Sequence, residues 1–365
     1  MAPRKILQLL IGVLVVVAGA CAHADVPNRF NRETWQEAVA KKRVDVDFAV
    51  YPFDATPEME SWVREALRGH TSLSVTGQLE VLQDAMFGNE FDFNYEDDLT
   101  LTASEAFRQR RGNCMAFTAL FIALSRSAGM PTFLMTVRRA PSIDREDDLV
   151  VVNRHVVAGY RTSQEVEVYD FYVTSSTPFL HQRMVDDVMA SAMYHNNLGG
   201  AAIRSDELEL AIRHLETAAT LAPDWSPAWV NLGVARFRLG DTVAAVEAYQ
   251  RALEVEPNSP SAFANLAYVY RQTGRDEEAE MALQAAAQRT RNPFTLIAMA
   301  DAEMVRGDLA GAGRYLRKAK RSYRKEPEVY DALARLSRLK GDPDKARRYV
   351  ERADKLRRRE AEESN

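Results

Sequence analysis

Of the side chains able to do covalent chemistry, the thiol of Cys114 has surroundings arranged for it. The 365-residue chain has two cysteines, Cys21 and Cys114. A thiol nucleophile needs its thiolate favoured, a base within hydrogen-bond reach, and a third group that orients the base. Gly112-Asn113 breaks the chain and caps a helix expected over Met115–Ala128, which sets the sulfur at the positive end of that helix, where a thiolate is favoured. His155 lies in the strand-like run Val150–Val157 and Asp170 in the next, Val168–Tyr172. If the two strands are adjacent and antiparallel, Asp170 can hold the imidazole as an orienting carboxylate. The chemistry is then acyl transfer: Cys114 attacks an amide carbonyl, His155 hands a proton to the leaving amine, and water or an amine releases the product. Each residue also has a plainer role open to it, as a buried core thiol, a strand histidine and a strand-edge carboxylate.

Other chemistries find no footing. His70, His181, His195 and His214 have no metal-ligand spacing with other His or Cys residues, and His195 and His214 fall in helices where a structural role is expected. No phosphate loop or dinucleotide fingerprint occurs, so no cofactor and no metal are expected. The formal charge of −5 does not indicate a nucleic-acid binder.

The elements around the three residues read as mixed helix and strand. Pro57 with Glu58 and Glu60 opens one helix, and Gln78–Phe87 carries a second. After a loop over Tyr95–Thr102 come a short helix, Ala103–Gln109, and the apolar helix behind Cys114. Beyond Gly129-Met130-Pro131, strands are expected over Thr132–Val137, Leu149–Tyr160 and Val166–Val173, with a polar loop over Ser142–Asp148. Helices followed by an antiparallel sheet make an α+β domain.

This stretch resembles the transglutaminase-like superfamily of papain-type cysteine enzymes over most of Leu79–Val173. The resemblance rests on Thr102–Phe107 followed by Arg111-Gly112-Asn113-Cys114, on Ala119–Pro131, and on Arg154-His155-Val156 with Tyr169-Asp170. It implies Cys114 as nucleophile, His155 as general base and Asp170 as the orienting residue. Met115, Val157 and Phe171 stand where crosslinking members commonly carry an aromatic, an aromatic and a proline; these departures bear on crosslinking more than on thiol chemistry, since relatives include peptidases, amidases and members with no known reaction. The Cys114 backbone N–H and a side chain from residues 91–95 are candidates for oxyanion donors.

Downstream the chain repeats. Gly240, Gly274, Gly307 and Gly341 recur at spacings of 34, 33 and 34 residues. Apolar positions keep step: Trp229, Leu232, Gly233, Ala245, Tyr249 and Ala252 in the clearest unit, with Leu266, Ala267, Ala279 and Leu283 in the next. A weaker first unit has Leu198, Gly199, Ala211, Leu215 and Ala218. The pattern resembles the tetratricopeptide repeat, about five units over 191–358, and so implies an all-α solenoid that grips a protein or peptide.

The expected organisation is a signal peptide over 1–24, an α+β transglutaminase-like domain over 25–190, the repeat solenoid over 191–358 and a charged tail over 359–365. Arg4 and Lys5, the apolar run Ile6–Val17 and the small residues 18–20 form the signal. Two endings compete: a lipobox at Ala18–Cys21, lipidating Cys21 and anchoring the protein in the membrane, or cleavage after Ala22-His23-Ala24. Either implies export to a bacterial envelope, on the periplasmic side. From Gly311 to Asn365 there are 18 Lys+Arg against 10 Asp+Glu, a local +8 that reads as a solvated helix face or as a basic docking surface. Two function classes remain: an exported cysteine-dependent acyltransferase or amide hydrolase with a recruiting array, or a non-catalytic envelope scaffold that binds proteins with both domains.

Overall fold

In a computed structural model of the protein, the described residues are 31–363 apart from 46, 89–90, 139–142, 147–148, 153–154, 164, 171–179 and 290–292. Cys21 and the expected signal segment lie outside them, as does Phe171.

The first domain opens with helices α1 (Arg32–Lys41), α2 (Pro57–Ala66) and α3 (Val75–Phe87), then the short strand β1 (Asn94–Tyr95). Helix α4 (Ala103–Gln109), strand β2 (Arg111–Gly112) and helix α5 (Cys114–Ser127) follow. Thr102 and Glu105 cap α4 reciprocally. β1 and β2 pair in parallel and bring residues 94–95 beside the turn into α5. Met115 through Ser125 are all buried, so α5 is the core around which the other elements pack.

The sheet is built from β3 (Phe133–Arg138), β4 (Ile143–Glu146), β5 (Leu149–Val152), β6 (Val156–Arg161), β7 (Val166–Tyr169) and β8 (Leu180–Met184). Four of these form an antiparallel sheet in the order β7-β6-β3-β8, while β4 and β5, among the described residues, pair with each other. The structure therefore differs from the expected run Leu149–Tyr160, which divides into two strands with different partners. The expected polar loop contains β4, which Ile143 and the pairing of Ile143 with Val152 bring into register. Leu134, Val156, Ala158 and Tyr169 face α5, and Phe133, Met135 and Val157 form a small core on the opposite side, as the period of two in a strand requires.

Five helix pairs complete the chain: α6 (Asp187–Arg204) with α7 (Leu208–Leu221), α8 (Ser226–Arg238) with α9 (Thr242–Val255), α10 (Pro260–Gln272) with α11 (Asp276–Arg289), α12 (Pro293–Arg306) with α13 (Leu309–Ser322), and α14 (Pro327–Leu339) with α15 (Pro343–Glu363). The two helices of each pair pack on one another, and each pair packs on its neighbour in the array. The repeating glycines end the first helix of a pair at positive φ, from +73° to +92°. Asp206 takes that place in the first pair, at φ 60°, which is why its repeat lacks the glycine mark. Gly233 answers a different need: a Cβ there would come within 2.5 Å of the buried Tyr249 ring.

The two parts are bolted together. Arg126 at the end of α5 bonds both carboxylate oxygens of Asp187 at the start of α6, at 2.8 and 3.0 Å, and the Tyr51 hydroxyl donates to the same carboxylate at 2.7 Å. With Asp187 fully enclosed, these three groups compensate one another's desolvation.

Candidate active site

Three elements carry the site. Asn113 is the N-cap of α5: its Oδ1 accepts from the N–H groups of Met115 and Ala116 at 3.1 and 3.2 Å. Its Nδ2 donates to Thr100 Oγ1 at 2.7 Å, and its own N–H to the Leu99 carbonyl at 2.9 Å. The turn before Cys114 is thus tied to the segment 97–100 by three hydrogen bonds from one residue, counting the 3.3 Å bond of Nδ2 to the Asp97 carbonyl. Gly112 sits at φ +149°, and a Cβ there would lie 2.4 Å from that of Ala116, so this turn needs glycine for both conformation and space. Cys114, half-buried and unpaired with any other cysteine, is the first residue of the helix, where the backbone dipole favours negative charge.

The facing wall comes from the sheet. β6 and β7 pair antiparallel, with Ala158 opposite Tyr169, so His155 just before β6 and Asp170 just after β7 lie side by side. His155 Nε2 is 2.9 Å from Asp170 Oδ2. Cys114 is close enough to the imidazole to help hold its proton on. With Nε2 engaged by Asp170, Nδ1 is the nitrogen left for the sulfur. Burial by itself pulls His155 down, but Asp170 and Cys114 outweigh it and hold the imidazole up at about 9. At neutral pH the ring is an imidazolium held by Asp170. It carries the proton that a departing amine requires.

Two polar residues steady this arrangement and were not singled out from sequence. Thr118, one turn after Cys114 on the same face of α5, donates to the Val156 carbonyl at 3.4 Å and joins the helix to the strand beside His155. It is the one polar residue between Met115 and Leu124, a signal legible in the sequence. Gln83 of α3 donates from Nε2 to the Asp170 carbonyl at 2.8 Å and fixes the backbone behind the carboxylate; nothing in its sequence surroundings marks it. Phe91 and Phe93 are core residues rather than oxyanion donors, at 1 % and 4 % exposure.

The remaining histidines fall elsewhere. His195 and His214 meet Nδ1 to Nδ1 at 2.9 Å, and His195 Nε2 accepts from the Val50 N–H at 3.1 Å. Ser191 takes the Val50 carbonyl at 2.7 Å, so α6 holds both polar groups of one backbone residue of the first domain. Among the described residues no group of three His, Cys, Asp or Glu side chains is placed to share a metal ion. Nor is any described helix long and apolar enough to cross a membrane.

Comparison with known proteins agrees with this division. The family model of the Cilia and flagella-associated protein 70 C-terminal domain matches residues 176–365, more than half of the chain. The chain belongs to that family. The transglutaminase-like superfamily model matches residues 71–170, which include all three site residues, so a transglutaminase-like domain precedes an array related to tetratricopeptide repeats. A curated relative, the heat-shock protein cognate co-chaperone sgt12 of Aspergillus fumigatus, is 34 % identical over 82 residues, 22 % of this chain. The match spans only 24 % of that relative's length. Among solved structures, MamA of Desulfovibrio magneticus RS-1 is 20 % identical, with 46 % of this chain and 95 % of that one covered at a TM-score of 0.34. PilF of Pseudomonas aeruginosa is 23 % identical, with 45 % and 76 % covered and a TM-score of 0.36.

Proposed function

We propose that the protein is an exported cysteine-dependent acyltransferase or amide hydrolase whose repeat array recruits a protein partner or substrate. The observation that carries the reading is that His155, bonded to Asp170 at 2.9 Å, also feels the side chain of Cys114, which opens a helix. Cys114 Sγ attacks an amide carbonyl. The C–N bond breaks as His155 gives its proton to the amine, leaving a thioester on sulfur; water or a second amine, deprotonated by His155, then breaks the C–S bond and restores the thiol. The Cys114 N–H is available for the oxyanion, because the Asn113 cap is directed at Met115 and Ala116 instead.

Of the three departures from crosslinking transglutaminases, Phe171 lies outside the described residues and the other two are core residues. Met115 and Val157 are wholly buried, the first in the main core and the second behind the sheet. Export is inferred from the Arg4-Lys5 pair, the apolar run to Val17 and the small residues before Cys21, with lipidation of Cys21 placing the protein on the periplasmic side of the envelope. Metabolic labelling with a fatty acid tests that part: label lost in Cys21→Ser supports the anchor, and an unlabelled wild-type chain removes it.

The site itself is tested by alkylating Cys114 with iodoacetamide at pH 7 in the wild type and in His155→Ala, with folding followed by circular dichroism. The expected result is a rate at least ~10-fold lower in the variant. Equal rates in two folded proteins would leave the domain a binding module.

A further inference from the structure

Between the sheet and the array lies a cavity of about 230 Å³ that the cysteine chemistry does not use. Thr136 of β3 and Arg183 of β8 wall it from the first domain, and the turn from α7 into α8, with the end of α9, walls it from the array. None of Cys114, His155 and Asp170 lines it. Its volume falls below the roughly 300–1,000 Å³ of pockets that hold drug-sized molecules, so its occupant is small.

The charges around it are divided by source. Arg183 comes from the edge strand of the sheet, while Asp224 and Glu256 come from the array. Among the described residues the side chains of these three make no ion pair and no hydrogen bond, although they share one cavity. A guanidinium and two carboxylates held around one cavity without pairing are placed to take a ligand that carries both signs. Arg183 and Asp224 are exposed and Glu256 is half-buried, so they carry their charge at little desolvation cost until a ligand arrives. Ser226 is a second mark. It is 3 % exposed, lines the same cavity, and its hydroxyl has no hydrogen-bond partner among the described residues. A buried hydroxyl left so is costly, and a charged group in the cavity relieves it. The rest of the wall is apolar and adaptable: Met189 and Met193 of α6 offer polarisable thioethers, and the half-buried Trp225 an indole face.

We propose that this cavity is a binding site for a free amino acid with an apolar side chain. The planar fork of Arg183 takes the α-carboxylate, Asp224 and Glu256 take the ammonium, and the Ser226 hydroxyl accepts a further bond from the ammonium. The apolar side chain lies on Met189, Met193 and Trp225. Because the walls come from both parts of the chain, a bound amino acid ties the array to the first domain and stabilises the folded protein. The inference does not rest on the acyl-transfer reading, since the two sites share no residue.

Isothermal titration calorimetry of the full-length wild type with L-leucine, N-acetyl-L-leucine and L-leucinamide is the test. The expected result is saturable binding of L-leucine, with the acetylated and amidated compounds, each lacking one charge, at least ~10-fold weaker. Glycine, which lacks the side chain, should also be at least ~10-fold weaker. No saturable heat with L-leucine up to about 10 mM overturns the proposal, and so does equal affinity for leucine and its two blocked forms. Arg183→Gln and the double variant Asp224→Asn/Glu256→Gln place the site: each should weaken leucine at least ~10-fold with an unchanged circular dichroism spectrum. Unaltered leucine affinity in either folded variant sinks the assignment. Should a variant lose its fold, photo-crosslinking of the wild type with a diazirine analogue of leucine decides: label within residues 183–193, 224–227 or 255–256 supports the site, and label confined elsewhere refutes it.

Discussion

His155 Nε2 and Asp170 Oδ2 lie 2.9 Å apart, although the two residues belong to different strands and neither lies within its strand's paired length. The β6–β7 register places them: Ala158 opposes Tyr169, so the first residue before one strand and the first after the other converge at the same end of the sheet. That end faces the N-terminus of α5. The site is thus assembled from one helix start and two strand ends, which fixes direction without demanding strain.

Asp170→Asn tests what this contact does. Burial pulls the imidazole down, and Asp170 and Cys114 raise it to about 9; removing the carboxylate's charge should bring the His155 titration midpoint, followed by NMR of its ring protons, back toward the ordinary value near 6.5. The sign in stability follows. A folded value above the unfolded one gives stabilisation that is full below about 6.5 and is lost as pH rises through about 9. The wild type should therefore lose stability relative to Asp170→Asn between pH 7 and 9.5 in urea unfolding. Parallel curves would contradict the contact.

Gly112→Ala should destabilise the domain by about 2–3 kcal/mol, since it combines a backbone conformation that side chains rarely adopt with a clash on Ala116. Gly69→Ala is the matched comparison. Its φ is +82° but a Cβ there meets nothing within 4 Å, so only the backbone cost of about 1–2 kcal/mol applies. Thermal unfolding of both variants measures the difference, and a cost at Gly112 no larger than at Gly69 would count against the turn as described.

The His195–His214 pair predicts the opposite pH dependence. Burial first, and the neighbouring imidazole second, lower His195 to about 3; burial and then Arg213 lower His214 to about 4. Both stay neutral in the fold while the unfolded chain binds protons below about 6.5, so their stabilisation is present above 6.5 and is lost as pH falls toward 4. The loss has a limiting slope of about 1.4 kcal/mol per pH unit for each ring. Urea midpoints at pH 7.5, 6 and 5 should fall less steeply in His214→Phe than in the wild type; an identical slope would place the acid sensitivity elsewhere.

Much of this was legible in the sequence because its marks are local. Gly112-Asn113 before an apolar helix announces a cap, and the spacing of Gly240, Gly274, Gly307 and Gly341 announces helix pairs. Long-range partners left no such mark. The bond of Gln83 to the Asp170 carbonyl spans 87 residues, and the clasp of His195 on Val50 spans 145. The valine-rich run from Leu149 to Tyr160 concealed the boundary between β5 and β6, because strand propensity does not say which partner a strand takes. Helix α1 was not anticipated either; its buried residues Trp35 and Val39 are too few to make a strong period.

The central claim is that Cys114, His155 and Asp170 act together in acyl transfer, and its most direct measurement is the acylation of Cys114 itself. Full-length protein is mixed with p-nitrophenyl acetate at pH 7, and the modified residue and its rate of acetylation are followed by mass spectrometry in the wild type and in His155→Ala. The expected result is an acetyl group on Cys114, formed at least ~10-fold faster in the wild type and cleared by water or an added amine only when His155 is present. Acetylation at the same rate in both folded proteins, or a wild-type thioester that neither water nor amine removes, would contradict it.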